Sequence, residues 1–579
     1  ILIGNRLLDM FVDDGRVNPE IVRLERNSQR RIPGGAGKSR NAGDRQFSTI
    51  KALTRPEIVE KLRYAQYLPA IFFIFSRAGC DAAVAQCIRE GLSLTNSEEK
   101  EEIRKVIAFQ TRELPTEDFG VLNFYEWCQS LERGIASHHA GLLPMFKETV
   151  ETLFQRGLLK IVFATETLAL GINMPARTVV LEKLIKWNGE THTVITPGEY
   201  TQLTGRAGRR GIDIEGNAVV VWSEQIDSST AAGLASTRTY QLRSSFSPSY
   251  NMSANLIARF GAERARKSLG ASFAQFQADR SVVGLIKQIE KNSSTIDSLR
   301  SEGICHLGAM DEYMNFRFAI KELENRSRER RVPKRSQREI DEQIDALRRE
   351  MKVHPCHQCP ERESHARILE KAKRLEKERE GLRTRMEGRT NVIPRTFDMV
   401  SAVLLDLEYL DDERLTTKGR LLSRIYAEND LLVAELISNG TFSALGAAEL
   451  AALFSGLLYE GRGERSKMPR IPKSLDEKIR EIIRTWSGLC DLESNQGLSN
   501  TREPNFDALW SVHRWASGTS LHTILRESDV TVGDFVRHIR QVIDLLGQVK
   551  DASPELSSRA KEAISKIDRG VIAYSTVIA

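Results

Sequence analysis

The sequence lacks any long apolar run. Its longest, Leu68 to Phe75, falls far short of the ~20 apolar residues a membrane-spanning helix needs, so no membrane association is expected. Cysteine is scarce: seven residues in 579, an odd number at irregular spacing. That excludes a disulfide framework and points to a reducing, cytoplasmic setting. Neither sign of charge dominates. A net charge of +6 leaves nucleic acid open as a partner without requiring it. The chain also lacks an initiator Met, and the reading here is that it is a piece of something longer.

A usable phosphate loop is missing too. The stretch RIPGGAGKSRNAG, Arg31 to Gly43, holds the only Gly-Lys, followed by Ser39. A P-loop of the G-x-x-x-x-G-K-[ST] type would place its first glycine at Ile32, and it would spring from a buried strand into a helix. The flanking RLERNSQRR is charged and SRNAGDRQF has no helical period, so the stretch reads as a basic surface loop.

What is present is a soluble, globular composition, 41% hydrophobic and 28% charged, long enough for about three to five domains. From Thr54 to Trp222 strand and helix alternate. Strand runs at Ala70–Phe75, Lys160–Ala164, Thr178–Leu181 and Ala218–Trp222 predict an α/β domain with a parallel sheet and helices on both faces. Asn188-Gly189 between Leu181–Trp187 and Glu190–Thr196 predicts a projecting hairpin. Beyond Ser223 the pattern turns helical. Between Asp311 and Arg389 it is highly charged, with Ile340, Ile344, Leu347 and Met351 in one helix at heptad spacing. Ile368, Ala372, Leu375, Leu382 and Met386 mark another. These two helices, joined by VHPCHQCPERE, are expected to pair as an antiparallel stalk. Leu415-Thr416-Thr417-Lys418-Gly419-Arg420 is the candidate wing within the helical remainder.

The run EYTQLTGRAGRRG, Glu199 to Gly211, sets Gln202, Arg206 and Arg209 at Q-x-x-x-R-x-x-R spacing among small residues. Two guanidiniums three residues apart on a helical face could converge on one anion, and a planar fixed charge suits a phosphoryl-transfer transition state. Upstream, VFATETLALGINMPA (Val162 to Ala176) ends a strand at Thr165, whose hydroxyl and N–H suit a phosphate. GIASHHAGLLP (Gly134 to Pro144) carries His138-His139 without a carboxylate spacing that would make them a metal or acid–base pair.

Ser76-Arg77, His138-His139-Ala140-Gly141, the Ala164-to-Pro175 run and Gln202-to-Gly211 together resemble motifs IV, IVa, V and VI of superfamily 2 helicases. The chain is most similar to the superkiller-type, exosome-cofactor DExH-box RNA helicases and their actinobacterial HelY-like branch. SFSPSYNMSANL (Ser245 to Leu256) resembles the entry to that family's winged-helix domain. LTTKGRLLSRIYAENDLLVAELISNG (Leu415 to Gly440) resembles the wing and the start of its helical bundle. RWASGTSLHTILRESDVTVGDFVRHIRQVIDLLGQV (Arg514 to Val549) resembles its C-terminal domain with a ratchet helix.

The resemblance implies roles. Arg206 and Arg209 would reach the γ-phosphate, Arg209 as arginine finger. Gln202, Gly171 and Asn173 would line the nucleotide cleft. Ser76, Arg77 and Thr165 would hold the RNA backbone, and the hairpin at Asn188 and Gly189 would separate strands. Arg537, Arg540, Gln541 and Asp544, at i, i+3, i+4 and i+7 spacing on the ratchet helix, would contact a single strand.

The implied organisation is a bridge and basic loop (1–53), a second RecA-like domain (54–225), a winged helix (226–280 and 391–440) interrupted by an inserted coiled-coil stalk (281–390), and a helical bundle (441–579). Motif I and the magnesium-holding D-E-x-H are absent. The Asp-Glu pairs at Asp311, Asp341, Asp412 and Asp476 lack His or Asp at the fourth place. GNRLLDMFVDDG (Gly4 to Gly15) resembles the bridge after motif III.

The implied protein is an ATP-dependent RNA helicase, moving 3′ to 5′ and using ATP and Mg2+ with a first RecA-like domain that this chain does not contain. Its partners would be single-stranded RNA and, through the stalk, an RNA-decay or proteolytic complex. The alternatives are a DNA helicase or translocase, and a non-catalytic nucleic-acid-binding or docking protein. His354, Cys356, His357, Cys359 and His365 crowd the stalk turn. A single C-x-x-C with two His could hold zinc tetrahedrally; with no second C-x-x-C and no finger-type His pair, the preferred reading is a Pro-punctuated turn whose thiols and imidazoles pack or face water, with no metal.

Overall fold

The computed structural model describes residues 1–29, 52–169, 173–187, 191–223, 227–237, 239–240, 242–327, 334–387, 390–459, 472–528 and 530–574. The basic loop with Gly37-Lys38-Ser39 lies outside them. The described chain forms two compact units. One comprises residues 1–242, 420–492 and 499–579; the other comprises 243–419 and 493–498.

The first unit is built on β1 (Ala70–Phe73), β2 (Ile135–His138), β3 (Ile161–Ala164), β4 (Thr178–Leu181) and β7 (Asn217–Val220). They hydrogen-bond in the order β2-β3-β1-β4-β7, all parallel, with Phe72 opposite both Phe163 and Val180. Every residue of β1 to β4 is buried. β1 and β3 are apolar on both faces, as a sheet covered on both sides favours. Four strands lie where the sequence predicts them. β2 is the exception: the polar Ser137 and His138 mask its strand character. One face of the sheet, with Phe72, Phe163, Val180 and Val219, packs on Ile58 and Leu62 of the helix Arg55–Tyr64. It also packs on Cys80, Ala83 and Cys87 of α1 (Arg77–Arg89). α2 (Pro144–Gln155) follows β2, and its Phe146 stacks on Trp127 with ring centroids 4.0 Å apart.

Between β4 and β7 stand the antiparallel β5 (Ile185–Trp187) and β6 (His192–Val194), paired from Ile185↔Val194 to Trp187↔His192. They form the expected hairpin; Asn188 and Gly189 lie outside the described residues. α3 (Pro197–Thr204) follows. The N-terminal segment closes the β7 edge, where Leu2 bridges Val221 in parallel and the Trp222 N–H donates to the Leu2 carbonyl at 2.8 Å. Buried Glu25 accepts from Trp222 Nε1, the Ser228 N–H and the Ser228 hydroxyl at 2.7 to 2.9 Å, which satisfies a carboxylate out of water.

The second unit contains four long helices: α4 (Phe273–Glu302), α5 (Met310–Ser327), α6 (Lys334–Val353) and α7 (Arg362–Glu387). The sequence reading pairs α6 with α7 across the turn between them. In the structure each has another partner. α7 runs antiparallel along α4, with Arg300 on Glu376 at 2.5 Å and Gln288 on Glu378 at 3.3 Å. α6 packs on α5 through Ile320, Ile340 and Ile344, with Arg348 on Glu324 at 2.8 Å. The heptad stripes are real, but a stripe does not specify which other helix covers it.

Elsewhere in this unit the helices Tyr250–Phe260, Ala262–Gly270 and Val392–Asp406 pack together beside a ribbon of Leu410–Asp411 and Arg414–Leu415. The ribbon's turn falls at Asp412, which has a left-handed φ of 55°, ahead of the stretch the sequence suggested. Glu413 Oε1 accepts from the Ala262 N–H at 2.9 Å.

The chain then completes the first unit. The helix Ala447–Leu458 is buried along almost its whole length, against Leu509–Ala516, α8 (Val532–Ala552) and Pro554–Ile567. Trp515 is fully buried, donates to the Ile567 carbonyl at 2.8 Å, and carries the Arg569 guanidinium over its ring at 3.7 Å.

Candidate nucleotide cleft and nucleic-acid track

α3 begins with a capping box. Thr196 and Glu199 satisfy each other's N–H groups, and Pro197 sits in the first turn. The helix stops at Thr204, so Arg206 and Arg209 do not share a helical face as expected. They lie in the Gly-punctuated segment after it. That segment is pinned as a β-bridge to Ala176, just ahead of β4. The Ala176 N–H donates to the Arg206 carbonyl at 2.9 Å and the Gly208 N–H to the Ala176 carbonyl at 2.7 Å. A Cβ on Gly216 would sit 2.6 Å from the Ala207 carbonyl carbon, so only glycine fits behind the bridge.

Arg206 Nη2 donates to the Ala169 carbonyl, at the end of the 3-10 turn Glu166–Ala169 that follows β3. Arg209 is gripped by Asp213: its N–H, Nε and Nη2 donate to the carboxylate at 2.9, 2.8 and 2.8 Å. These hydrogen bonds hold the Asp213 carboxyl down at about 2 and raise Arg209 above its ordinary value. Asp213 was missed from sequence, although its i+4 spacing from Arg209 was the available signal. Gln202 is exposed on α3 and Asn173 is exposed before β4, its carbonyl accepting from Gln155 Nε2 at 3.5 Å. Gly171 lies outside the described residues.

A second group gathers just past the carboxyl ends of β1 and β3, where ligands of open parallel sheets bind. Ser76 is exposed and caps α1, accepting from the Gly79 N–H at 3.1 Å. Thr165 places its hydroxyl 2.9 Å from that of Thr167, while its N–H donates to the His138 carbonyl at 3.3 Å. Lys186 of β5 bridges Glu166 and Glu199 at 2.6 and 2.7 Å, tying the hairpin base to both groups. Arg77 points to α8, with its Nη1 2.5 Å from Asp534 Oδ2. Asp534 also accepts from Thr531 Oγ1 at 2.9 Å and Arg537 Nη2 at 3.1 Å.

The two histidines between these groups are structural. The Gly141 N–H donates to His139 Nδ1 at 3.1 Å, so the proton sits on Nε2 and goes to Asp81 at 2.9 Å. His138 Nε2 meets Glu151 at 2.8 Å. The turn they support receives α8. The Gly533 N–H donates to the Gly141 carbonyl at 3.1 Å, and a Cβ on Gly533 would lie 2.5 Å from the Gly141 carbonyl carbon. On α8, Arg537, Gln541 and Asp544 are exposed along one face as expected, Asp544 accepting from Gln548 Nε2 at 2.8 Å. Arg540 departs from the expectation: its Nε and Nη2 are buried and have no hydrogen-bond partner among the described residues. Beside it, burial and then the Arg537 charge push His538 down to about 4.

Comparison with known proteins agrees with this geometry. Residues 84–211 match the helicase conserved C-terminal domain, and residues 412–575 match the DSHCT (NUC185) domain. A Mycobacterium tuberculosis protein named as the probable helicase HelY is 38% identical across 99% of this chain and 78% of its own length. The human exosome RNA helicase MTR4 is 24% identical across 93% of this chain and 65% of its own. The Arabidopsis thaliana DExH-box ATP-dependent RNA helicase DExH9 is 36% identical across 47% of this chain and 27% of its own.

Proposed function

The chain belongs to the HelY-like helicases of the DExH-box group, and from that premise we propose that it is the C-terminal portion of a cytoplasmic, ATP-dependent helicase that moves 3′ to 5′ along single-stranded RNA. Two relatives bear the name RNA helicase, which favours RNA over DNA. The observation that carries the reading is the bridge from Ala176 to the Arg206–Gly208 segment. It fixes two guanidinium-bearing residues at one place on the sheet, while Ser76 and Thr165 stand past the carboxyl ends of β1 and β3.

In this reading ATP and Mg2+ bind between this lobe and a first RecA-like domain carrying the P-loop and D-E-x-H. Arg209 meets the charge that develops on the γ-phosphoryl group, with Asp213 orienting its guanidinium, and Arg206 assists. Gln202, Gly171 and Asn173 line the same cleft. Ser76, Arg77 and Thr165 hold the RNA backbone, and α8, as ratchet helix, offers its exposed Arg537, Gln541 and Asp544 to the strand. The β5–β6 hairpin, the segment of Asn188 and Gly189, parts the duplex. The three short helices and ribbon around Leu410–Leu415 are taken as the winged helix, and the paired α4–α7 as the arm that meets an RNA-decay or proteolytic complex.

The test is strand displacement by the full-length gene product on 3′-tailed and 5′-tailed duplexes of RNA and of DNA. The expected result is ATP-dependent unwinding of 3′-tailed RNA. Preference for DNA would reassign the substrate, and no ATP-dependent displacement would leave a docking protein.

A further inference from the structure

The thiols and imidazoles at one end of the α4–α7 helices form a cluster that the helicase reading does not use. The sequence shows two cysteines there, Cys356 and Cys359, in the 3-10 turn between α6 and α7. Folding adds a third. Cys305, in the turn between α4 and α5, packs in the same buried cluster as both. Cys356 is fully buried and Cys305 and Cys359 nearly so, in a pocket floored by Met310, Tyr313, Met314 and Leu369. All three are free thiols.

The backbone around them turns tightly on the sulfurs. Cys305 bridges Gly308 across a tight turn, and the Leu307 N–H points at Cys305 Sγ at 3.5 Å, where it supports a thiolate. Gly308 lies directly over Cys356, since a Cβ there would stand 3.4 Å from Cys356 Sγ.

Two imidazoles reach the cluster. A ring nitrogen of His306 and the thiols of Cys305 and Cys359 all lie within 4.8 Å of one another. His365 sets its Nδ1 3.9 Å from Cys359 Sγ while its Nε2 faces Glu361 at 3.6 Å. The other two histidines are engaged otherwise: His354 Nδ1 accepts from the Cys356 N–H at 3.3 Å, and His357 Nδ1 meets the Tyr313 hydroxyl at 3.2 Å.

We propose that Cys305, Cys356 and Cys359, with one imidazole from His306 or His365, form a structural zinc site that clips the α4–α5 turn to the α6–α7 turn. Three soft thiolates and an imidazole are the donors zinc prefers; the three sulfurs are buried here, and of the candidate imidazoles His365 is buried and His306 exposed. Zn–S bonds put the sulfurs of such a set about 3.8 Å apart, so Cys305, Cys359 and the His306 ring nitrogen, already within 4.8 Å of one another, need only small rotamer shifts to close on the ion, and Cys356 Sγ lies under Gly308 of the Cys305 turn. A disulfide would use two of the thiols and strand the third in an apolar pocket. The clip has a mechanical purpose: along their length α5 and α6 share one narrow core of Ile320, Ile340 and Ile344 with Leu323, Leu347 and Met351 packed against it, and metal binding at the turn adds directly to folding free energy.

The test is metal content of the chain purified without chelator, by mass spectrometry, followed by zinc removal and titration with cobalt(II) alone. The expected result is about one zinc per chain, and cobalt bands of a tetrahedral thiolate site. Cys305→Ser and Cys359→Ser should each lower bound zinc to below about a tenth, while Cys490→Ser, outside the cluster, keeps it. Of His306→Ala and His365→Ala, the one that lowers metal affinity identifies the fourth donor. A wild-type chain that holds neither zinc nor cobalt, or that holds iron instead, overturns the proposal whether or not the serine variants fold.

Discussion

Arg77, at the first turn of the helix after β1, and Asp534, at the first turn of α8, are 457 residues apart in sequence and 2.5 Å apart in space. The guanidinium assigned to RNA is therefore also the group that docks α8 on the sheet domain. Replacing Asp534 by Asn should release it. Single-strand affinity of the chain should rise about threefold to tenfold, as expected for losing a competing ion pair of about 1 kcal/mol, and Arg77→Ala should abolish that gain. Fluorescence anisotropy with a short pyrimidine RNA measures both. An unchanged affinity in Asp534→Asn would mean that Arg77 serves docking alone.

Arg209 and Thr165 should separate turnover from RNA engagement. In the full-length enzyme Arg209→Ala is expected to lower kcat about 10³-fold, the range of arginine fingers, because it acts on charge that appears only in the transition state. Its RNA affinity should barely move. Thr165→Ala should weaken RNA binding more than unstimulated hydrolysis. If Arg209→Ala instead weakens RNA binding while turnover persists, the Arg-rich segment is a nucleic-acid clamp.

The Arg209–Asp213 pair predicts an acid-dependent loss of stability. Asp213 is held at about 2, below its ordinary 3.8. The pair's contribution is complete above the ordinary value and is lost as pH falls through the lowered one. It amounts to about 2 kcal/mol at most. Thermal melts of wild type and Asp213→Asn between these two pH values should converge at the acid end. Parallel curves across that window would show that the pair contributes nothing.

The chain alone should turn over no ATP, since its arginines have no phosphate-cradling loop or magnesium carboxylate to work with. It should still bind single strands, and that affinity should fall steeply with salt as phosphate contacts give way to counterions. RNA-stimulated turnover above a protein-free control would contradict the first expectation, and salt-independent binding the second.

Two glycines of α8 should respond in opposite ways. Gly533→Ala drives a methyl into the Gly141 backbone and should cost about 1–3 kcal/mol. Gly547→Ala meets nothing within 4 Å and should stabilise the helix by about 1 kcal/mol. Chemical denaturation of both variants reads the contrast; equal effects would mean that α8 is not seated on the Gly141 turn.

What could be read in the sequence follows from how local each signal is. β1, β3, β4 and β7 declare themselves because each carries a run of apolar, largely β-branched or aromatic residues, whereas β2 carries Ser137 and His138 for the Asp81 and Glu151 partners that only folding supplies. The heptad stripes of α6 and α7 were visible, but their partners α5 and α4 were not. The Gln202–Arg209 run was found by its composition, yet its shape was wrong, since the bridge to Ala176 depends on a residue thirty positions upstream. Asp213 lay within reach of the i+4 rule. Asp534 and Cys305 did not, because nothing nearby in the chain announces what they meet.

The seam where Gly533 lies on Gly141 sets an order of events during synthesis. Roughly 400 residues separate the two glycines, and at about 5–20 residues per second the ribosome needs tens of seconds to travel between them. Within that interval the whole continuous stretch of the second unit, residues 243–419, is made. The sheet domain must wait with its docking turn uncovered until α8 emerges, so a nascent chain paused anywhere in between exposes the backbone of Gly141 to whatever quality-control factor arrives first.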